Sequence, residues 1–411
     1  MYKKELQVKK FAYYGFLKNL RFFEPFILLY LVSLNISLYQ IGLLYALREA
    51  IIYLFEIPSG VFADRYGKKL ELIICFIFYI ISFVFFFIGK PVVFIAFAMF
   101  FFGLGEAFRS GTHKAMIMTY LDKNAITYKK SEVYGYTRSY SLIGSSISSL
   151  IAIILIYFLP ATRYIFLVTI IPYLADFYLI LTYPEYLNEK VESKFTVKSI
   201  FIEAFHNLKN LFTDRKLLYY VFNSSFFESV FKTSKDYIQV LVFALIVSSG
   251  ITFGTNFTSD DVTYIILGLV YSVIYIISSY ATRNTHKLIF KNNIDKTINL
   301  LWFIMAFTMF LIFIFSELNL ISLVIVFYLL SYVIMNLRIP LVLEKLGDNM
   351  ESNKRATYLS VESQLQSLFV FFLAPFLGYI ADTYGVPYGF AAIGVLLLLV
   401  SPILSFLRKK A

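Results

Sequence analysis

Gly60 to Lys69 reads GVFADRYGKK. An apolar run ending in Glu56, Ile57, Pro58 and Ser59 precedes it, and a second apolar run, Leu70 to Ile88, follows. About 20 apolar residues cross the hydrocarbon core of a bilayer as a helix. The decapeptide therefore reads as a short charged hinge between two membrane helices. Gly60 and Gly67 are expected to bracket a tight turn where a side chain would be in the way. Asp64 and Arg65 sit between them, and Lys68 and Lys69 close the segment. A basic cluster between two spans marks the cytoplasmic side.

The composition agrees. Hydrophobic residues make up 59% of the 411 and charged residues only 15%, with a mean hydropathy of +0.73. A soluble domain is closer to about a quarter charged. The net charge of +11 does not point to nucleic acid, because most basic residues sit between the apolar runs and read as topology. Cys75, the one cysteine, lies in an apolar run and reads as packing. Met1 to Lys10 is charged, the first apolar run is long and no small-residue cleavage site follows, so that run is expected to be retained. Richness in Phe, Ile, Tyr, Lys and Asn suggests an AT-rich, bacterial genome.

Twelve spans are expected: 11–34, 39–62, 70–89, 92–120, 133–159, 164–183, 217–248, 260–282, 297–316, 319–344, 356–380 and 386–407. These runs are too long for barrel strands, so helices must satisfy the backbone in lipid. With both termini in the cytoplasm, 26 of the 37 basic residues fall in cytoplasmic segments. Only Lys90 and Arg163 then fall in external loops. That asymmetry sets the orientation. The longest polar stretch divides the chain into a six-helix half (1–190), a cytoplasmic linker (191–213) and a second six-helix half (214–411). Internal duplication on that scale is common in secondary transporters. Near 196–212 the linker is amphipathic enough to lie on the membrane surface.

The hinge resembles the loop between helices 2 and 3 of the major facilitator superfamily, whose pattern is G-x-L-A-D-x-x-G-R/K-R/K. Gly60, Ala63, Asp64, Gly67, Lys68 and Lys69 match, and Arg65 is the usual residue after the aspartate. Phe62 departs from the commoner leucine. The fourth span, GLGEAFRSGTHKAMIMTYL (Gly103 to Leu121), is similar to the Glu- or Ser-containing fourth helix of many bacterial members. The eleventh ends GYIADTYG (Gly378 to Gly385), similar to the common end of that helix. The resemblance implies an all-α membrane protein of twelve transmembrane helices, in which Gly60, Asp64, Arg65, Gly67, Lys68 and Lys69 latch a cytoplasmic gate. It also implies a central cavity lined by helices 1, 4, 7 and 10, with 2, 5, 8 and 11 beside them.

The spans carry many ionisable groups. A charge at the bilayer centre costs about 2.5–3.5 kcal/mol even on the lenient insertion scale, so most must face a polar interior or each other. Helical spacing groups Arg21 with Glu24 and Lys18; Glu49 with Tyr53 and Glu56; and Glu106 with Arg109 and His113. It also groups Arg138 with Ser141, Ser145 and Ser148; Glu228 with Lys232, Asp236 and Gln239; and Glu362 with Gln366. Pro25 should weaken the first helix. Arg21, Glu24 and Glu228 lie near mid-span and suit a substrate or proton site. Lys18, Glu56, Lys114, Arg338 and Glu344 lie nearer the cytoplasmic ends and suit a gate. Two readings stand for each residue: a binding role, or an ion pair such as Arg21–Glu24, Glu106–Arg109 or Lys232–Asp236 that only holds helices together. Burial makes a charged carboxylate costly, and a proton-coupled carrier uses that to take up a proton.

No P-loop, metal cluster or hydrolytic triad is recognisable, so no cofactor and no enzymatic activity are expected. The fifth span lacks the Gly-Pro and Gly-Gly pattern of many drug antiporters. The leading expectation is a monomeric, proton-coupled secondary transporter of a small polar or charged solute in the bacterial cytoplasmic membrane, working by alternating access. A broad-specificity exporter and a non-transporting membrane sensor or scaffold are the alternatives.

Overall fold

Long apolar runs with few breakers form helices because every backbone group in lipid must be satisfied within the segment. The computed structural model describes residues 5–124, 130–188, 215–251, 258–283, 293–349 and 355–409, and among these there is no strand. Twelve spans result, in two six-helix halves. Nine are single helices: Leu38–Tyr66, Lys68–Ile88, Lys130–Phe158, Tyr164–Leu181, Ser259–Arg283, Ile294–Glu317, Ile321–Asn349, Arg355–Tyr384 and Val386–Lys409. Eight of the described helices, the two pieces of span 4 taken as one, are long and apolar enough to cross a membrane. The linker 191–213 and its amphipathic stretch lie outside the described residues.

Three spans are broken where continuous helices were expected. Span 1 runs Leu6–Lys18 and resumes as a 3-10 turn, Glu24–Phe26, followed by Ile27–Ser33. Asn19 caps the first piece, its Nδ2 donating to the Gly15 carbonyl at 2.6 Å. Pro25, which lacks an N–H, sits in the 3-10 turn, where a missing donor matters least. Span 4 runs Val92–Arg109 and Thr112–Lys123, broken at Gly111, whose φ of +75° favours glycine. Span 7 runs Arg215–Ser234, a 3-10 turn Lys235–Tyr237, then Ile238–Ser249. The freed carbonyls find phenols on other spans: Tyr173 donates to Lys18 O at 3.0 Å and Tyr328 to Lys235 O at 2.8 Å. Spans 1 and 7 are the first spans of their halves, so matching breaks are met by matching partners.

The hinge is also tighter than its sequence suggests. Gly60 is helical and the second span continues to Tyr66, so only Gly67 makes the turn, at φ +106°. A Cβ on Gly67 would overlap the Asn188 side chain. Asn188 Oδ1 accepts the Lys69 N–H at 3.1 Å. Lys69 Nζ reaches the Tyr183 carbonyl at 3.1 Å and Glu185 at 3.4 Å. Gly60 fails as a bracket because one left-handed residue suffices to reverse the chain between two helices.

The chain forms two compact units, each defined here over its described residues. One takes in Met1–Pro25, Leu47–Ile200 and Tyr271–Ile276; the other takes in Phe26–Ala46, Phe201–Val270 and Ile277–Ala411. The core of the first is strongly aromatic, with Phe76, Tyr79, Phe83, Phe166 and Tyr173 almost wholly buried. In the second, Trp302 is buried and its indole N–H donates to the Leu397 carbonyl at 2.8 Å. Exposed Tyr157, Phe158, Ile171, Phe307, Phe372 and Leu399 are the apolar faces expected of lipid-contacting spans.

Candidate functional site

In the first unit the breaks in spans 1 and 4 bring a charged cluster together. Glu106 accepts Arg21 Nη2 on Oε1 and Arg109 Nη2 on Oε2, both at 2.6 Å. Such short charge-assisted bonds are the strong kind. Arg21 Nε donates to Tyr173 Oη at 2.9 Å. The guanidinium also lies 5.2 Å from the centroid of Phe102 and 5.7 Å from that of Tyr79. The three charged side chains remain 16%, 17% and 31% exposed for Arg21, Glu106 and Arg109, so the cluster is sheltered but reachable. Glu24 and Lys18 lie within electrostatic reach of Arg21.

Beside this cluster sits Asp176 of span 6, which is fully buried. Among the described residues, neither of its oxygens receives a hydrogen bond. Lys18, Tyr14 and Tyr183 are its electrostatic neighbours. The Tyr14 and Tyr79 hydroxyls and Arg109 Nε are likewise buried with no hydrogen-bond partner among the described residues. Buried polar groups are almost always hydrogen-bonded, so several unsatisfied groups around one charged cluster point to a place built for a polar guest. His113 stacks on Tyr14 with centroids 3.6 Å apart, and its Nε2 lies 3.2 Å from Tyr183 Oη. It packs the floor of the cluster.

The second unit carries its own. Arg338, only 2% exposed, lies 3.9 Å from the Phe227 centroid and 5.4 Å from that of Trp302. It donates to the Asn223 side chain and, at 3.3 Å, to the Asn223 carbonyl. Glu228 accepts from Ser224 at 3.3 Å and from Gln366 Nε2 at 3.2 Å. Glu362 and Arg338 lie within electrostatic reach of Glu228.

Several sequence-based groupings change. Helical spacing paired Arg21 with Glu24, but the helix ends at Lys18 and the ion pair of Arg21 runs to Glu106 on span 4. The stripe from Glu228 to Gln239 is cut by the 3-10 turn. Asp236 then pairs with its neighbour Lys235 at 3.6 Å and accepts Tyr45 Oη at 3.2 Å, while Gln239 accepts the Leu28 N–H at 2.8 Å. Lys232 stays upstream of that turn. Glu106 and Arg109 pair as the spacing suggests. Glu49 is fully buried and held by Arg48 at 3.0 Å. Arg138 is exposed and has no ion pair among the described residues. Arg338, assigned to a gate by its depth, is buried at the centre of the second cluster. Asp176 and Tyr173, three apart on one face of span 6, were not singled out by the sequence reading. Their clue was an acid and a phenol inside an otherwise apolar span.

A twelve-span fold with sheltered charges at broken helices defines a multi-pass membrane protein. The model of the Major Facilitator Superfamily matches residues 19–363, and the chain belongs to that family. Among curated relatives, the uncharacterized MFS-type transporter YxaM of Bacillus subtilis (strain 168) is 33% identical over 137 residues, 33% of this chain and 34% of that protein. The match thus spans about a third of that relative's own length. Among solved structures, two crystal structures of the nucleoside transporter NupG share the fold. One, of a point mutant, has a TM-score of 0.78 at 11% identity, covering 98% of this chain and 99% of that one. The other has a TM-score of 0.74 at 12% identity, covering 98% of each. The protein is therefore a multi-pass membrane protein of this superfamily.

Proposed function

We propose that the protein is a secondary active transporter that carries a small anionic or strongly polar solute together with a proton, exposing its site alternately to the two faces of the cytoplasmic membrane. The observation that carries this reading is the first-unit cluster, where Arg21 and Arg109 share Glu106 beside Asp176. Glu106 is committed to two guanidiniums, so it orders the cations rather than moving a proton. Asp176 has no donor on either oxygen among the described residues, so it is the carboxylate that takes the coupling proton. Proton uptake there removes one negative charge beside Lys18, itself within electrostatic reach of Arg21 and Arg109, and the surplus positive charge draws an anionic group such as a carboxylate or phosphate. Proton and anion then bind with mutual assistance, a coupling that is reciprocal by linkage.

In the second unit, Glu228, Glu362 and Arg338 form a polar cluster of their own. The cytoplasmic termini, read from the distribution of Lys and Arg, and a monomeric state complete the proposal. The likeness to NupG, at this identity, speaks for the fold; the charges of the cluster favour a charged solute over a neutral nucleoside. Counterflow of radiolabelled anions, amino acids, sugars and nucleosides into proteoliposomes tests the reading. Uptake is expected for an anionic or zwitterionic pool and lost in Glu106→Gln. Uptake of neutral solutes alone would contradict it.

A further inference from the structure

The end of span 11 repeats the hinge. Gly60–Gly67 reads GVFADRYG and Gly378–Gly385 reads GYIADTYG, agreeing at both glycines, the alanine, the aspartate and the tyrosine. The backbones agree as well. Each copy closes a long helix, at Tyr66 and Tyr384, each final glycine sits at nearly the same φ (+106° and +103°), and each next helix starts at once, at Lys68 and Val386. Between the two copies the chain makes the crossings of spans 3 to 11, an odd number. The copies therefore mark opposite faces of the membrane, and the end of span 11 shares its face with the start of span 2.

The copies differ in what their aspartates do. Asp382 Oδ1 accepts the Leu38 N–H at 2.8 Å and Oδ2 accepts the Tyr39 N–H at 2.7 Å. These are among the first donors of the helix Leu38–Tyr66, which no intrahelical carbonyl satisfies. A carboxylate there also meets the positive end of the helix dipole. Glycines bring the two backbones together: a Cβ on Gly42 would lie 2.9 Å from Pro375 Cα, and one on Gly378 would lie 2.9 Å from Tyr39 Cα. Asp64, in the other copy, accepts no hydrogen bond and joins no ion pair among the described residues.

We propose that GYIADTYG is a second gate motif, on the face opposite the first, with Asp382 as its latch on the start of span 2. The structure holds this latch closed while Asp64 has no hydrogen-bond or ion-pair partner among the described residues, as two gates that alternate require. The inference rests on the alternating-access reading, but its test needs no solute. Nitroxide labels at exposed Leu43 and Thr383 report the separation of spans 2 and 11 in the full-length protein in lipid nanodiscs, with buried Cys75 left in place. Wild type is expected to show mainly the short separation. Asp382→Ala should raise the ratio of the longer to the shorter population about 5-fold, as loss of a helix cap implies. Asp382→Asn, which keeps one of the two accepting oxygens, should fall between wild type and Asp382→Ala, and Asp64→Ala should not add the longer population. A wild-type distribution in Asp382→Ala, or an equal lengthening in Asp64→Ala, would overturn the proposal.

Discussion

Glu106 shows how single residues set the chemistry. Its two oxygens each hold a guanidinium at 2.6 Å, so Glu106→Gln leaves Arg21 and Arg109 competing for one weaker acceptor. We expect a stability loss of about 1.5–3 kcal/mol, the range for hydrogen bonds to charged groups, read as a lower thermal midpoint by circular dichroism in detergent. Asp176→Asn should behave differently. The amide fills the same volume without titrating, so folding and solute exchange should survive while solute-driven proton movement is lost; paired exchange and pH-dye assays distinguish the two effects. Arg338→Lys should not rescue Arg338→Ala in stability, because an ammonium cannot lie flat on the Phe227 ring or fork onto Asn223. Glu106–Arg109 was legible as an i, i+3 pair. The partnership of Arg21 with Glu106 was not, because it joins two spans 85 residues apart, and helical spacing carries no information about which face of which neighbour lies opposite.

At the scale of elements, the broken spans decide where the clusters form. Hydropathy shows that 11–34, 92–120 and 217–248 are long enough to cross, but not where the helix stops. That point depends on whether a freed carbonyl finds a donor on another span, as Lys18 O finds Tyr173 and Lys235 O finds Tyr328. Pro25 and Gly111 were visible hints; the break at Lys235 had none, since no breaker sits there. Tyr173→Phe removes the donor to Lys18 O and the acceptor of Arg21 Nε, so it should cost about 0.5–1.5 kcal/mol per hydrogen bond lost. Tyr328→Phe loses its donor to Lys235 O and should cost a similar amount per bond. Thermal unfolding of both variants checks the parallel. The hinge was legible as a turn, and its one strained residue is Gly67. Gly67→Ala places a side chain at φ +106° against Asn188 and should destabilise by about 1–3 kcal/mol. Gly60→Ala, in open helix with nothing near its Cβ, should be neutral or slightly stabilising by the same measurement.

For the molecule as a whole, apolar runs and charged turns made the twelve-span architecture readable, because bilayer thickness fixes helix length and lipid forbids unpaired backbone. The family was readable from a few tens of residues around GVFADRYGKK. Less readable was the sharing of charge inside the first compact unit, where among the described residues Asp176 has no donor and Glu106 has two. The central claim is that a proton and a charged solute move together through that arrangement. The most direct measurement is internal pH in proteoliposomes holding wild type or Asp176→Asn, after addition of anion, amino acid, sugar and nucleoside pools without an imposed gradient of protons. Acidification of the lumen with one anionic or zwitterionic pool, absent in Asp176→Asn while exchange of the same solute persists, is the predicted result. Solute entry with no proton movement in wild type, or equal proton movement in Asp176→Asn, would contradict the account.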